Sequence, residues 1–333
     1  MPEDSPLTIQ QYNRLLAPYV KPAWKPAIRQ LLNTVLPLLA LLALMIYSLR
    51  FPYWVTLLLA IPAGCFMVRT FIIFHDCGHN SFTPSLRANK WIGFLLGLLV
   101  YTPGEHWWKA HAIHHATSGN IDRRGVGDVE IWTVAEYRAR PWPARLGYRL
   151  FRHPLVMFGL GPIWIFLIAN RLDRPHFSRK ETLSIIWTNL ALLVWLGLIS
   201  LAAGGVLPML MVMLPPAWLG GLLGIWMFYI QHNYTGVYWA HEGQWSYVDS
   251  AVRGASYYEL PRLLQWITGN IGFHHIHHLS PRVPNYNLQP AYDAQPALRA
   301  NIKKISFLES LQTLRLRLID EAHGNRMVGL NEI

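Results

Sequence analysis

The chain has 333 residues, of which 52% are hydrophobic and only 14% charged, with 15 Trp, 15 Tyr and 13 Phe. Such a composition excludes a disordered chain and argues against an ordinary soluble one, where charged residues approach a quarter. A net charge of +11 comes without a zinc-finger or RNP pattern or a long Lys/Arg run, so nucleic acid is not expected, and two cysteines rule out a disulfide framework, a Cys-ligated iron–sulfur cluster and a zinc ribbon.

At the amino terminus no basic region precedes an early apolar run, so no cleaved signal peptide is expected. Leu7 to Val20 reads as a short interfacial helix ended by Pro18 and Pro22, with Trp24 near headgroup level. Stretches long enough to cross a bilayer, which takes about 20 residues, run from Leu31 to Leu49, Tyr53 to Phe74, Leu183 to Ala203 and Val206 to Ile230. Trp91 to Thr102 and Leu155 to Ala169 are shorter, and the second is broken by Gly159, Gly161 and Pro162. Such lengths suit re-entrant or interfacial segments. The expected fold class is an all-α membrane protein: four transmembrane helices in two hairpins, turning at Arg50 to Pro52 and at Gly204 to Gly205. Short re-entrant or interfacial helices and a helical cap, residues 75–182 and 231–333, complete a single domain.

The cap side, with both termini, holds 27 of the 29 Lys and Arg residues, the exceptions being Arg50 in a turn and Arg69 within a span. That bias marks the cytoplasmic face and accounts for the basic balance. If Leu155 to Ala169 crossed, Arg171, Arg174, Arg179 and Lys180 would move outside, against the rule. Near the end of the chain, Leu298, Ile302, Ile305, Leu308, Leu311, Leu314 and Leu318 recur at three or four residues, opposite Arg299, Lys303, Lys304 and Arg315. This reads as a helical stripe on the membrane surface or packed against the cap.

Nine of the 15 histidines fall in three groups, eight if His275 is set aside: His75-Asp-Cys-Gly-His79, His111-Ala-Ile-His114-His115 and His274-His275-Ile-His277-His278. Residues three and four apart share a helical face, so each group can offer two or three ring nitrogens to one point. The first group lacks the Glu of H-E-x-x-H metalloproteases. All three fall on the cap side, the first directly after the second span. A metal or proton transporter would instead place ionisable residues along the spans. Eight imidazoles exceed the six positions of an octahedral ion, which implies two metals with about four ligands each. Imidazole suits iron, and iron performs oxygen chemistry that zinc cannot.

HDCGH, HAIHH and HHIHH, with four spans and a cap, resemble the integral-membrane fatty acid desaturases, in particular bacterial acyl-lipid enzymes of the delta-12/omega-6 and delta-5 kind. Flanks such as HHATSGNIDRRGVGD, QHNYTGVYWA and NIGFHHIHHLSPRVPNYNL carry the likeness along nearly the whole chain. The resemblance implies that His75, His79, His111, His114, His115, His274, His277 and His278 bind two non-haem irons, with His275 the odd member. It also implies a ninth ligand, His232, at the cytoplasmic end of the last span; His241 and His106 are rivals, and His153, His176 and His323 surface residues. Dioxygen as co-substrate and two electrons would then remove two hydrogens from neighbouring methylenes, leaving a cis double bond and water. Asp76, Asp122, Asp128 and Glu130 are candidates to orient the ligating rings, foremost Asp76 and Asp128, and Cys77 reads as a packing residue.

An apolar tunnel must fix the acyl chain, and Trp107, Trp108, Trp239, Trp245 and Trp266 are candidate walls or members of an aromatic belt. No flavin fingerprint, cysteine cluster or cytochrome b5 motif is present, so an external donor such as ferredoxin or flavodoxin is expected on the basic face. The substrate would be an acyl lipid or acyl thioester, and the location a bacterial inner membrane. Competing readings are a membrane di-iron hydroxylase or ketolase acting on an alkane, sterol or carotenoid, and a non-enzymatic metal-binding membrane protein.

Overall fold

Four helices are long and apolar enough to cross a bilayer in the computed structural model, which describes residues 7–300 and 302–333. A short α1 (Ile9–Leu16) precedes them, started by a reciprocal capping box between Thr8 and Gln11. Its Tyr12 and Leu16 are buried in the main core of the cap. The expected interfacial helix is therefore packed inward. The first hairpin is α2 (Trp24–Ser48) and α3 (Trp54–Gly78), with Ser48 and Thr56 hydroxyls 2.7 Å apart across the turn. Then come α4 (Leu86–Leu99), α5 (Gly104–Thr117), α6 (Val134–Ala139) and α7 (Trp142–Phe151).

The second hairpin is α8 (Arg179–Ala203) and α9 (Val206–His232). Gly204 (φ 84°) and Gly205 (φ 143°) turn the chain between them, in a backbone region costly for any residue with a Cβ. Prolines inside α2, α3 and α9 are tolerated because neighbouring helices compensate for the lost backbone bonds. Small residues set the contact between α3 and α9: a Cβ on Gly220 would lie 3.0 Å from Met67 Cβ and 3.2 Å from the Gly64 carbonyl. Segment Leu155–Arg171, largely π-type turns, bends 61° from α7 and packs along α9. Within it, the Gly159 carbonyl accepts from Trp218 Nε1 at 2.8 Å.

The cap is completed by α10 (Tyr247–Arg253), α11 (Arg262–Ile267), α12 (His274–Leu279), α13 (Asn285–Ala294) and α14 (Phe307–Gln312). Short strands join these pieces: β1 (Trp132–Thr133), β2 (Tyr257–Tyr258), β3 (Lys304–Ile305), β4 (Leu318–Asp320) and β5 (Arg326–Val328). They pair as β1-β4-β5, parallel then antiparallel, and as a parallel β2-β3. The carboxy-terminal stripe is thus not one helix. Ile305 pairs with Tyr258, Ser306 caps a new helix over Glu309, and Leu318 pairs with Trp132 and Val328. Helical spacing there arises from separate short elements: Leu298, Ile305 and Leu318 are buried in the cap, whereas Leu308 and Leu311 are exposed.

Two helices run past the apolar stretches that define the spans. α3 continues from Phe74 through Gly78 and α9 from Ile230 to His232. Those extra turns carry histidines.

Candidate metal centre

His75 and His79 stand at the cap end of α3, His111, His114 and His115 on α5, His232 on the last turn of α9, and His274, His277 and His278 on α12. The nine rings meet in two sets: His75, His79, His111, His115 and His277, and His114, His232, His274 and His278. Within each set one donor nitrogen from every ring lies within 4.8 Å of all the others. The sets abut, His115 and His278 stacking with centroids 4.3 Å apart.

Hydrogen bonds at the far side of the rings fix the tautomers. His75 Nδ1 donates to Asp76 Oδ1 at 3.0 Å, His114 Nδ1 to Asp128 Oδ1, and His232 Nδ1 to the Gly254 carbonyl at 2.9 Å. A neutral ring that donates through Nδ1 has a bare lone pair at Nε2. Nevertheless the Nε2 atoms of His114 and His232 face each other at 3.2 Å, and His232 Nε2 also lies 2.9 Å from His274 Nε2. His75 and His277 approach through Nε2 at 3.0 Å. In the His114–His232 pair both rings donate through Nδ1, so two lone pairs face each other and repel unless a cation lies between them. Neighbouring ligands at right angles on an ion with bonds of about 2.1 Å stand about 3 Å apart, which matches these separations.

Protonation does not relieve the crowding. Burial and the neighbouring rings hold His79, His111, His115, His274, His277 and His278 well below the usual histidine range. His79 Nε2 is buried with no hydrogen-bond partner. An all-imidazole, neutral donor set of this kind fits divalent metal of borderline softness.

Of the carboxylates singled out in the sequence, Asp76 and Asp128 reach these rings. Asp76 Oδ2 further accepts from Asn285 N at 2.7 Å and Asn285 Nδ2 at 2.8 Å, and Asn285 Oδ1 accepts from Gln30 of α2 at 2.8 Å. Sequence reading missed Asn285 and Gly254; the PNYN stretch following the third histidine group was the available signal for the first. Asp122 instead binds exposed His241, which also contacts Glu321, and Glu130 accepts from Trp132 Nε1. His241 therefore lies outside both sets. So does His106, whose ring is 3.8 Å from Glu181. His275 is buried but points at the Leu298 carbonyl, 2.9 Å away, and burial lowers it to about 4. His153, His176 and His323 are exposed.

A cavity of about 320 Å³ leads from the rings into the membrane half, bordered by His75, His111 and His274 at one end and by Met67, Phe166 and Ala217 further in. Its course along α9 from Gln231 to Ala217 spans about 20 Å at the usual helical rise. Trp107 lines it, stacked on His111 at 4.5 Å; the other four tryptophans do not. Trp108 is held instead by three glycines: a Cβ on Gly78, Gly93 or Gly104 would come within 2.2, 2.5 or 2.9 Å of its ring. Its Nε1 donates to the Phe74 carbonyl at 3.1 Å. Trp245 Nε1 donates to the Ser118 carbonyl at 2.9 Å, Trp239 packs partly buried against the cap core, and Trp266 carries the Arg69 guanidinium 4.0 Å above its ring. Cys77 is buried in the core beside these glycines.

Residues 52–306 match the family described as fatty acid desaturase. A fatty acid desaturase of Bacillus subtilis (strain 168) is 45% identical over 312 residues, covering 94% of this chain and 88% of its own. Two proteins of Synechocystis are more distant: an sn-1 oleoyl-lipid 12-desaturase at 24% identity, covering 80% of this chain and 76% of its own, and an sn-1 acyl-lipid omega-3 desaturase (ferredoxin) at 26%, covering 67% and 62%. With its four membrane-length helices and converging histidine groups, the chain belongs to the fatty acid desaturase family, a family of oxidoreductases.

Proposed function

We propose that this protein inserts a cis double bond into a membrane acyl lipid, with two irons held by His75, His79, His111, His115 and His277 and by His114, His232, His274 and His278. The single observation that carries the reading is an apolar cavity ending on two sets of converging imidazoles. When bound, such a centre supplies dioxygen activation and removal of two hydrogens from adjacent methylenes, consuming two electrons and two protons and giving two waters.

The chain's own residues supply position. Phe71, Ile72 and Ile225 form apolar walls that leave a saturated chain no polar partner, so its depth is set by shape. His75, His111 and His274 bring the rings to the cavity surface, while Asp76 holds the Nδ1 proton of His75 and Asp128 that of His114. The bent segment Leu155–Arg171 contributes Ile165 and Phe166 and so closes one flank against water.

The electrons come from a separate protein, ferredoxin or flavodoxin, reaching the basic cap on the cytoplasmic side. The Lys/Arg bias supports that orientation, and the ferredoxin in the name of one Synechocystis relative supports the donor class. The experiment is expression in a host that makes only saturated and simple monounsaturated lipids, followed by mass spectrometry of the lipids. New double bonds, with about two irons per purified chain, are expected; new hydroxyl groups without double bonds, or unchanged lipids from an iron-loaded protein, overturn the reading.

A further inference from the structure

A second concavity, a groove of about 820 Å³, lies on the cap between the end of α7 and the carboxy-terminal segment. It shares no lining residue with the acyl cavity. One part of its wall is apolar, from Leu150, Leu311, Leu314 and Leu330; the other is cationic, from Arg149, Arg315 and Arg317. No carboxylate lines it among the described residues. Arg149 Nε donates to Tyr137, whereas Arg315 and Arg317 make no ion pair among the described residues.

Its height relative to the bilayer is fixed by α9. Tyr229 Oη, near the cap end of that span, donates to the carbonyls of Thr313 and Leu316 at 3.1 and 3.2 Å, and Asn233 Nδ2 donates to the same two at 3.0 and 3.2 Å. Residues 313–316 are thus tied to the end of a membrane helix, at headgroup level. On either side, helices turn large apolar residues outward: Trp142, Leu146 and Leu150 share one face of α7, and Leu308 and Leu311 project from α14. Apolar side chains at this spacing beside arginines belong in the boundary between headgroups and acyl chains.

We infer that this groove binds the headgroup of an anionic phospholipid, with the phosphate between Arg149, Arg315 and Arg317 and an acyl chain along the leucines. Guanidinium groups recognise phosphate oxygens through paired N–H donors. A free phosphate would leave the leucine wall bare, so a lipid is the occupant that uses both halves.

The test uses full-length protein in mild detergent, incubated with dioleoylphosphatidylglycerol or dioleoylphosphatidylcholine and weighed by native mass spectrometry. Preferential retention of phosphatidylglycerol is expected. The R149Q/R315Q/R317Q variant should retain about tenfold less of it, and R315Q/R317Q, which keeps the Arg149 bond to Tyr137, should also lose retention. A control with the same charge change at exposed sites, R123Q/R253Q/R326Q, should retain it as wild type does. Equal retention of the two lipids, equal loss in the control, or complete displacement by millimolar inorganic phosphate would each overturn the assignment.

Discussion

In the five-ring set, orientation comes from regular structure: His75 and His79 extend a membrane helix, and buried Asp76 is gripped by Asn285, itself tied to Gln30 of α2. The four-ring set hangs on looser supports. His114 is oriented by Asp128, which follows Gly125 and Gly127 at φ 105° and 74° in an irregular loop, and His232 by the carbonyl of Gly254. The Asp128 side chain is 12% exposed, against 2% for Asp76. One site is thus built into the helical frame, and the other is finished by loops; the second should hold its ion less firmly and with one donor fewer.

Removing a donor tests that contrast most strongly. On the proposed two-iron assignment, His277→Ala and His274→Ala should each reduce turnover to background while the protein still inserts in membranes. Metal analysis should separate them: His277→Ala leaves four donors and part of its iron, whereas His274→Ala leaves three and loses one ion of the pair. Equal iron in both variants would erase the asymmetry; full activity in either would refute the ligand assignment.

Next come the orienting carboxylates. Asp128→Asn should lower activity or metal affinity by about 10–100-fold, the usual effect of losing a partner behind a ligating ring, with little change in yield. Asp76→Asn should also cut the amount of folded protein, because the same carboxylate holds Asn285. Parallel measurement of detergent-extracted yield and iron content distinguishes the two.

Acidification sharpens the comparison further. Histidines held below their unfolded value bind fewer protons folded than unfolded, so the stability of the metal-free protein falls as pH drops below about 6.5. Four rings of the first set and two of the second are depressed by burial among the groups outside the spans. Thermal unfolding of the metal-stripped protein between pH 7.5 and 5.5, values chosen to bracket the ordinary histidine range of about 6.5, should show stability falling toward acid, and iron loading should raise the whole curve without removing that slope. A flat profile in the stripped protein would contradict the buried, neutral state of the rings.

The smallest expected effect concerns the cavity both sets share. Gly224 lines it, and a Cβ there meets nothing within 4 Å. Gly224→Leu should fill space without disturbing the helix and shift the product profile toward shorter acyl chains by a few-fold, read by gas chromatography. An unchanged profile would mean that the chain does not occupy this part of the cavity.

Much of this was legible in the sequence because hydropathy and histidine spacing are local signals. The four spans appear close to the residues expected, and the nine histidines singled out are those that the fold brings together. What escaped reading depended on tertiary pairing. The Leu298-to-Leu318 spacing imitates a helix, but its residues answer to Tyr258, Trp132 and Val328, which no local window contains. Asp122 and Asp128 look alike in sequence; only the path of the loop sends one to His241 at the surface and the other to His114. Likewise Trp107 and Trp108 are neighbours on α5, and helical geometry turns the first to the cavity and the second to the glycines.

That glycine cradle bears on how the enzyme matures. The Trp108 indole is shared by Gly78 of α3, Gly93 of α4 and Gly104 of α5, so docking of α4 completes the packing that holds the first two histidine groups in place. During biogenesis, ion capture should then follow completion of the helix junction, and premature loading by a half-built chain would be disfavoured.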